Sequence, residues 1–202
     1  MTIIKHPAQR VAVFIDAQNL YHSAKHLYGS KVNFGKLVED AVAGRPLVRA
    51  IAYVISTEEG TEQSFFEALA KVGIEAKTKD LQIFAGGAKK GDWDVGLAID
   101  AVKLAPKLDV VIIVSGDGDY VPLVEYLQIN EGCQVEAVSF GRSSSARLIE
   151  AVDDFKDLDE EPSKYLLGFR GGSRNALSNK QPRQTPAPQQ RGAVRRIERK
   201  VD

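Results

Sequence analysis

Four aspartates stand where carboxylates could gather around a cation. Asp16 closes the apolar run VAVFI at residues 11–15, while Asp117 and Asp119 follow a second such run, VVIIV at residues 110–114. Asp94 falls in the first turn of the helical pattern KGDWDVGLAIDAVKL, which leads directly into that second run. Asp100, six residues on, is turned by about 240° on a helix of 3.6 residues per turn, so it cannot share Asp94's face. Two carboxylates near 4 Å repel by roughly 1 kcal/mol in water and about 4 kcal/mol at an effective dielectric of 20, a cost that a bound cation removes. All-oxygen donors suit a hard ion, Mg²⁺ or Mn²⁺, and Mg²⁺ characteristically keeps several waters and combines a few carboxylates with substrate phosphates. The chemistry implied is activation of water against a phosphodiester, without a covalent intermediate. Asn19, one helical turn past Asp16, Ser115, and Lys89 or Lys90 could orient water or meet a phosphate. Competing roles are turn formation and N-capping for Asp117 and Asp119, and dipole matching for Asp94. His6, His22 and His26 read as ordinary surface residues, and Trp93 reads as core before base-stacking platform.

For acids so far apart in sequence to meet, the elements must converge at one sheet edge. Strand candidates are residues 11–15, 49–55, 75–78, 110–115 and 135–139; between them lie helical patterns at 17–28, 34–43, 62–72, 93–104, 120–131 and 146–152. This alternation predicts a three-layer α/β/α domain on a central, mostly parallel sheet with Rossmann-like winding. The two runs that are nearly all apolar belong in the middle of the sheet, buried on both faces. Ligands of such sheets bind beyond the carboxyl ends of the strands, where strand order reverses, which is where Asp16 and Asp117 would lie. Asn33 and Thr61 are expected N-caps, Gly73 and Gly132 expected C′ residues, and AGGAKKG at 85–91 an expected flexible, cationic loop.

Of the 202 residues, 44% are hydrophobic, enough for one domain of ordinary size with an appendage. The formal net charge of zero hides an asymmetry: residues 1–161 carry 17 Lys and Arg against 25 Asp and Glu, and residues 162–202 carry 10 against 2. The expected division is therefore a domain over 1–161 and a disordered, basic tail rich in Arg, Gly, Pro and Gln over 162–202. Within the tail, GFRGGSRN at 168–175 has an RGG-like mix that makes Arg170 and Arg174 candidate nucleic-acid contacts. A single cysteine, Cys133, and the lack of a long apolar run argue for a cytoplasmic chain with no membrane association.

The set FIDAQNL (14–20), KKGDWDVGLAIDA (89–101), VSGDGDYVPLV (114–124), the glycine of SFG (139–141) and LIEAVDDF (148–155) resembles the NYN domains, in particular their LabA-like branch. The similarity spans about residues 9–159, with the motifs in family order. NYN domains belong to the PIN-like nucleases, several of which are metal-dependent ribonucleases. The resemblance implies a PIN-like fold, an acidic metal site of Asp16, Asp94, Asp117 and Asp119 accompanied by Asn19, and cleavage of RNA with Mg²⁺ or Mn²⁺ to 5′-phosphate and 3′-hydroxyl ends. Asp100 and Asp153 match further acidic positions of the family. A homodimer is compatible with this reading. Two alternatives stand beside it: a non-catalytic module binding RNA or a protein, and a phosphohydrolase of the haloacid-dehalogenase type, whose DxD motif Asp117-Gly118-Asp119 mimics.

Overall fold

The computed structural model describes residues 3–56, 63–80, 82–83, 89–90 and 93–169. Thr61, Arg170 and Arg174 lie outside the described residues, as do residues 172–202, a separate unit from the one ending at Gly171. The chain begins with β1 (Val11–Asp16), α1 (Ala17–Tyr28), β2 (Lys31–Val32), α2 (Phe34–Val42) and β3 (Leu47–Ser56). It continues through α3 (Gln63–Lys71), β4 (Glu75–Asp80), β5 (Gln82–Ile83), β6 (Lys89–Lys90), α4 (Asp94–Leu104) and β7 (Val110–Val114). It closes with α5 (Val121–Ile129), β8 (Gln134–Ser139), α6 (Ala146–Ala151), β9 (Asp154–Asp157), α7 (Pro162–Tyr165) and β10 (Leu166–Leu167).

Six strands form one parallel sheet in the order β4-β3-β1-β7-β8-β9. The chain lays down β1, β3 and β4 outward in one direction, then returns to the other side of β1 and lays down β7, β8 and β9. Strand order therefore reverses between β1 and β7, the doubly wound arrangement. Side chains alternate across the sheet. Val11, Val13, Ile15, Val110, Ile112 and Val114 pack on one face with Leu20 and Ala24 of α1 and Leu37 of α2. Ala12, Phe14, Val111 and Ile113 pack on the other with Leu97 and Ala101 of α4 and Val124 of α5. Phe14, Ile112 and Ile113 are wholly buried, and burial of such side chains contributes about 1.5–3 kcal/mol each, so the two strands that carry Asp16 and Asp117 are the best-anchored part of the sheet.

Local signals hold where they can be read. Asn33 accepts a hydrogen bond from the Lys36 N–H at 3.1 Å, and Gly73 and Gly132 take left-handed φ values of 75° and 66° after their helices. Three features differ from expectation. Residues 89–90, placed in a flexible loop, form an antiparallel pair with β5, because a two-residue rung needs no apolar run to announce it. The edge strand β9 is a run of half-buried, mostly charged residues, DFKD, that reads as loop until β8 is beside it. The boundary expected at 161 is also too early. Residues 162–167 form α7 and β10, with Tyr165 and Leu166 buried, the Tyr165 hydroxyl on Asp40 at 2.8 Å, and Leu166 paired with Val32. Two apolar residues in a polar stretch are too short a pattern to reveal a docking strand.

One buried ion pair ties helix to sheet. Arg45, 4% exposed, donates to both Glu136 oxygens at 2.6 and 3.0 Å and to the carbonyls of Val42 and Ala41. Its fork is thus filled, which is what makes a buried charge tolerable.

Candidate functional site

At the switch point the ends of β1 and β7 are stitched together by their own polar groups. Asp16, the last residue of β1, is also the N-cap of α1, and its Oδ1 accepts from the Asn19 N–H at 3.0 Å. Its Oδ2 accepts from the hydroxyl of the fully buried Ser115 at 3.3 Å. The Asn19 Oδ1 accepts the Gly116 N–H at 3.0 Å, and the Asp117 N–H donates to Ser115 Oγ at 3.2 Å. Gly116 is held close to the loop after β8: a Cβ there would lie 2.8 Å from Ser144 Oγ and 2.9 Å from Ser139 Oγ, so a side chain would push the two strand ends apart. Asp94 opens α4, and its Oδ1 accepts the hydroxyl of the buried Tyr120 at 2.9 Å.

Asp16, Asp94 and Asp117 line one cleft of about 300 Å³. Gln18, Asn19, His22 and Ser23 of α1 line it from one face of the sheet, and Tyr53, Ile55 and Trp93 from the elements packed on the other. Burial pushes the Asp16 carboxyl above its ordinary value; the charges of Asp94 and Asp117 push the same way, against the hydrogen bonds from Asn19 and Ser115. Burial first, then the charges of Asp16 and Asp94, drive the Tyr120 phenol far upward, so it stays a hydrogen-bond donor. Acids from three separate parts of the chain thus line one cleft, where Asp94 and Asp117 add to the burial that raises Asp16.

The other expected site residues fall elsewhere. Asp119 is exposed and absent from the cleft lining; its N–H donates to Asp117 Oδ1 at 3.0 Å. The cause is the 3₁₀ turn Gly118–Tyr120: at about three residues per turn, a buried Tyr120 sends its predecessor to the solvent side. Lys89 and Lys90 are placed in β6 by their backbone, and their side chains lie outside the described residues. Asp100 accepts from the Tyr53 hydroxyl at 2.8 Å and from the Lys77 ammonium at 2.6 Å, so it holds the back of a cleft residue. Asp153 accepts the Val135 N–H at 2.7 Å and a Gln128 amide hydrogen at 3.1 Å, which caps the start of β8. Neither lines the cleft.

Several lining residues escaped the sequence. His22 and Ser23 continue the α1 face begun by Asp16 and Asn19, at steps of three and four residues, and that spacing was a usable signal. Tyr53 and Ile55 carried none, since strand alternation makes them look like core until β3 is known to adjoin β1.

The carboxylates of Asp16, Asp94 and Asp117 are the donors this cleft offers a hard divalent ion. All are oxygen, and the mutual repulsion around Asp16 is the kind a cation relieves. Among the described residues, no three His, Cys, Asp or Glu side chains converge as a complete cage. Asp16, Asp94 and Asp117 thus offer the donor chemistry of a hard-ion site without standing, among the described residues, as a formed one.

The fold described above is that of an NYN domain. The NYN family model matches residues 10–159, most of the chain, and the protein belongs to that family, a branch of the PIN-like nucleases. It is 26% identical over 160 residues to the Low amplitude and bright protein LabA of Synechococcus elongatus, a match covering 75% of this chain and 84% of that one. A crystal structure of a protein of unknown function from Vibrio parahaemolyticus superposes with a TM-score of 0.73 at 33% identity, covering 82% of this chain and all of the other. Among the described residues no helix is long and apolar enough to cross a membrane.

Proposed function

We propose that the protein is a metal-dependent nuclease that hydrolyses phosphodiester bonds of single-stranded nucleic acid, RNA in particular. The observation that carries this is Asp16 at the β1–β7 switch point, its carboxyl raised by burial and by Asp94 and Asp117, which line the same cleft. Mg²⁺ or Mn²⁺ held by Asp16, Asp94 and Asp117 would supply the Lewis acidity that activates water and polarises a phosphoryl oxygen. Asn19 and Ser115 fix the Asp16 carboxylate and the Gly116–Asp117 backbone through the bonds described above, so loading starts from a held Asp16 onto which the Asp94 and Asp117 side chains close. Tyr120 holds Asp94 by its hydroxyl. Lys89 and Lys90 serve as outer contacts to the strand in this reading, and the exposed Asp119, whose N–H donates to Asp117, is the fourth acid available to the ion. The basic C-terminal sequence over residues 162–202, which includes Arg170 and Arg174, adds sequence-independent attraction to the polyanion.

The acids have a second reading, favoured by the incomplete cage: a non-catalytic module that binds RNA. Incubating labelled single-stranded RNA with wild type and with Asp117→Asn, in Mn²⁺, in Mg²⁺ and in chelator, separates them. The nuclease reading expects cleavage by wild type only, dependent on the ion, leaving 5′-phosphate and 3′-hydroxyl ends. Binding without cleavage, retained or strengthened in Asp117→Asn, selects the binding module.

A further inference from the structure

Phosphate, water and cation account for the acidic part of the cleft, but not for its apolar wall of half-buried Ile55 and Trp93, with the buried Tyr53 behind them. That wall is fixed from behind. The Trp93 indole N–H donates to the Val54 carbonyl at 3.1 Å, and its ring meets Tyr53 edge-on, centroids 5.5 Å apart. Gly96 leaves the ring room over the first turn of α4: a Cβ there would stand 2.5 Å from Trp93 Cε3. The Tyr53 hydroxyl is taken up by Asp100. The Lys79 ammonium, 5.8 Å from the Trp93 centroid, adds positive charge beside the wall.

We propose that Ile55 and Trp93, backed by the buried Tyr53, form a subsite for one unpaired nucleobase of the strand whose phosphate meets Asp16, Asp94 and Asp117. Every base has a π-face and an apolar body, so an aromatic and aliphatic wall accepts any of the four and reads none of them. Trp93 is the residue immediately before Asp94, which sets the base and its phosphate within one nucleotide's span of each other. A cleft of about 300 Å³ admits a single nucleotide, and a base enters only when unpaired and unstacked, which selects single strands over duplex. This inference rests on the nuclease reading and narrows its substrate.

Trp93 is the chain's one tryptophan, so its fluorescence reports on this wall and not on the basic tail. The full-length protein is titrated in Ca²⁺ with a short oligoadenylate RNA, its DNA equivalent and a blunt RNA duplex, while anisotropy of the labelled nucleic acid records binding independently. Both single strands should quench Trp93 saturably, and the duplex, at equal phosphate concentration, far less. Trp93→Leu should weaken single-strand binding roughly 5- to 150-fold, the span of base–aromatic stacking, and Trp93→Phe should recover most of it. Circular dichroism and Mn²⁺ binding check that both variants keep the fold and the acidic site. Binding seen by anisotropy with no change in Trp93 emission, equal quenching by duplex, or unchanged affinity in Trp93→Leu overturns the base subsite and leaves the nuclease reading intact. Failure of wild type to bind any of the three overturns both.

Discussion

The strands β1 and β7 run side by side, and their two ends use carboxylates in opposite ways. At the amino ends, Asp109 accepts from the Arg10 N–H at 2.7 Å and from its guanidinium at 3.0 and 2.9 Å, and these bonds hold Asp109 down to about 2. At the carboxyl ends, Asp16 sits with Asp94 and Asp117, and burial and those neighbours push it up. The same contrast recurs further out. Asp40 is partly buried, yet Lys164, Tyr165 and Lys156 outweigh that burial and hold it at about 2, and Glu136 is matched by Arg45. The protein supplies its own cations to acids that build the fold. At the switch point burial raises Asp16 and the nearby charges of Asp94 and Asp117 add to it, a displacement of the kind that clusters at functional sites.

Exchanging the two kinds of acid should therefore separate activity from stability. Asp16→Asn keeps the cap on α1 but removes an ion ligand, so metal-dependent cleavage should fall by about 1,000-fold or more, above the usual loss of a single electrostatic stabiliser. Thermal unfolding without metal should show equal or higher stability. A matching loss of stability would erase the distinction. Glu136→Gln should do the reverse: leaving the Arg45 charge unmatched in the interior costs about 3 kcal/mol, measured by urea unfolding, while turnover per folded molecule stays as in wild type. Tyr120→Phe lies between, since it keeps the packing and deletes only the bond to Asp94. Mn²⁺ affinity should drop about 10- to 100-fold, with little change in unfolding temperature.

The finest contrast is in pH. Asp109 has its folded value below the ordinary 3.8, so its stabilisation is complete above that pH and is lost as pH falls through about 2. Asp16 is displaced the other way: ionised in metal-free protein it destabilises the fold, and the penalty vanishes as pH falls from its raised value toward 3.8. Unfolding temperatures against pH should show Asp109→Asn flattening the acid limb and Asp16→Asn removing a decline on the less acidic side. Curves of one shape would mean that the two strand ends do not differ.

What the sequence disclosed follows the same line. VAVFI and VVIIV are legible as central strands because burial on both faces leaves no room for polar residues, and Asp16 and Asp117 are legible because they end those runs. The partners of paired acids were not legible: nothing local joins Arg45 to Glu136 or Tyr165 to Asp40, separations of 91 and 125 residues. Asp119 read as a site acid because spacing does not distinguish a 3₁₀ turn from the start of an α-helix. Trp93 read as core because an aromatic that packs on Tyr53 and also lines a cleft has the pattern of one that only packs.

The decisive measurement is a Mn²⁺ titration of chelator-stripped full-length protein, followed by the loss of free-ion signal in electron paramagnetic resonance. Saturable binding by wild type and Asp109→Asn, abolished in Asp16→Asn and Asp117→Asn, is the predicted result. Equal Mn²⁺ uptake in all four, or none in wild type, would mean that the carboxylates at the ends of β1 and β7 are not arranged to hold an ion.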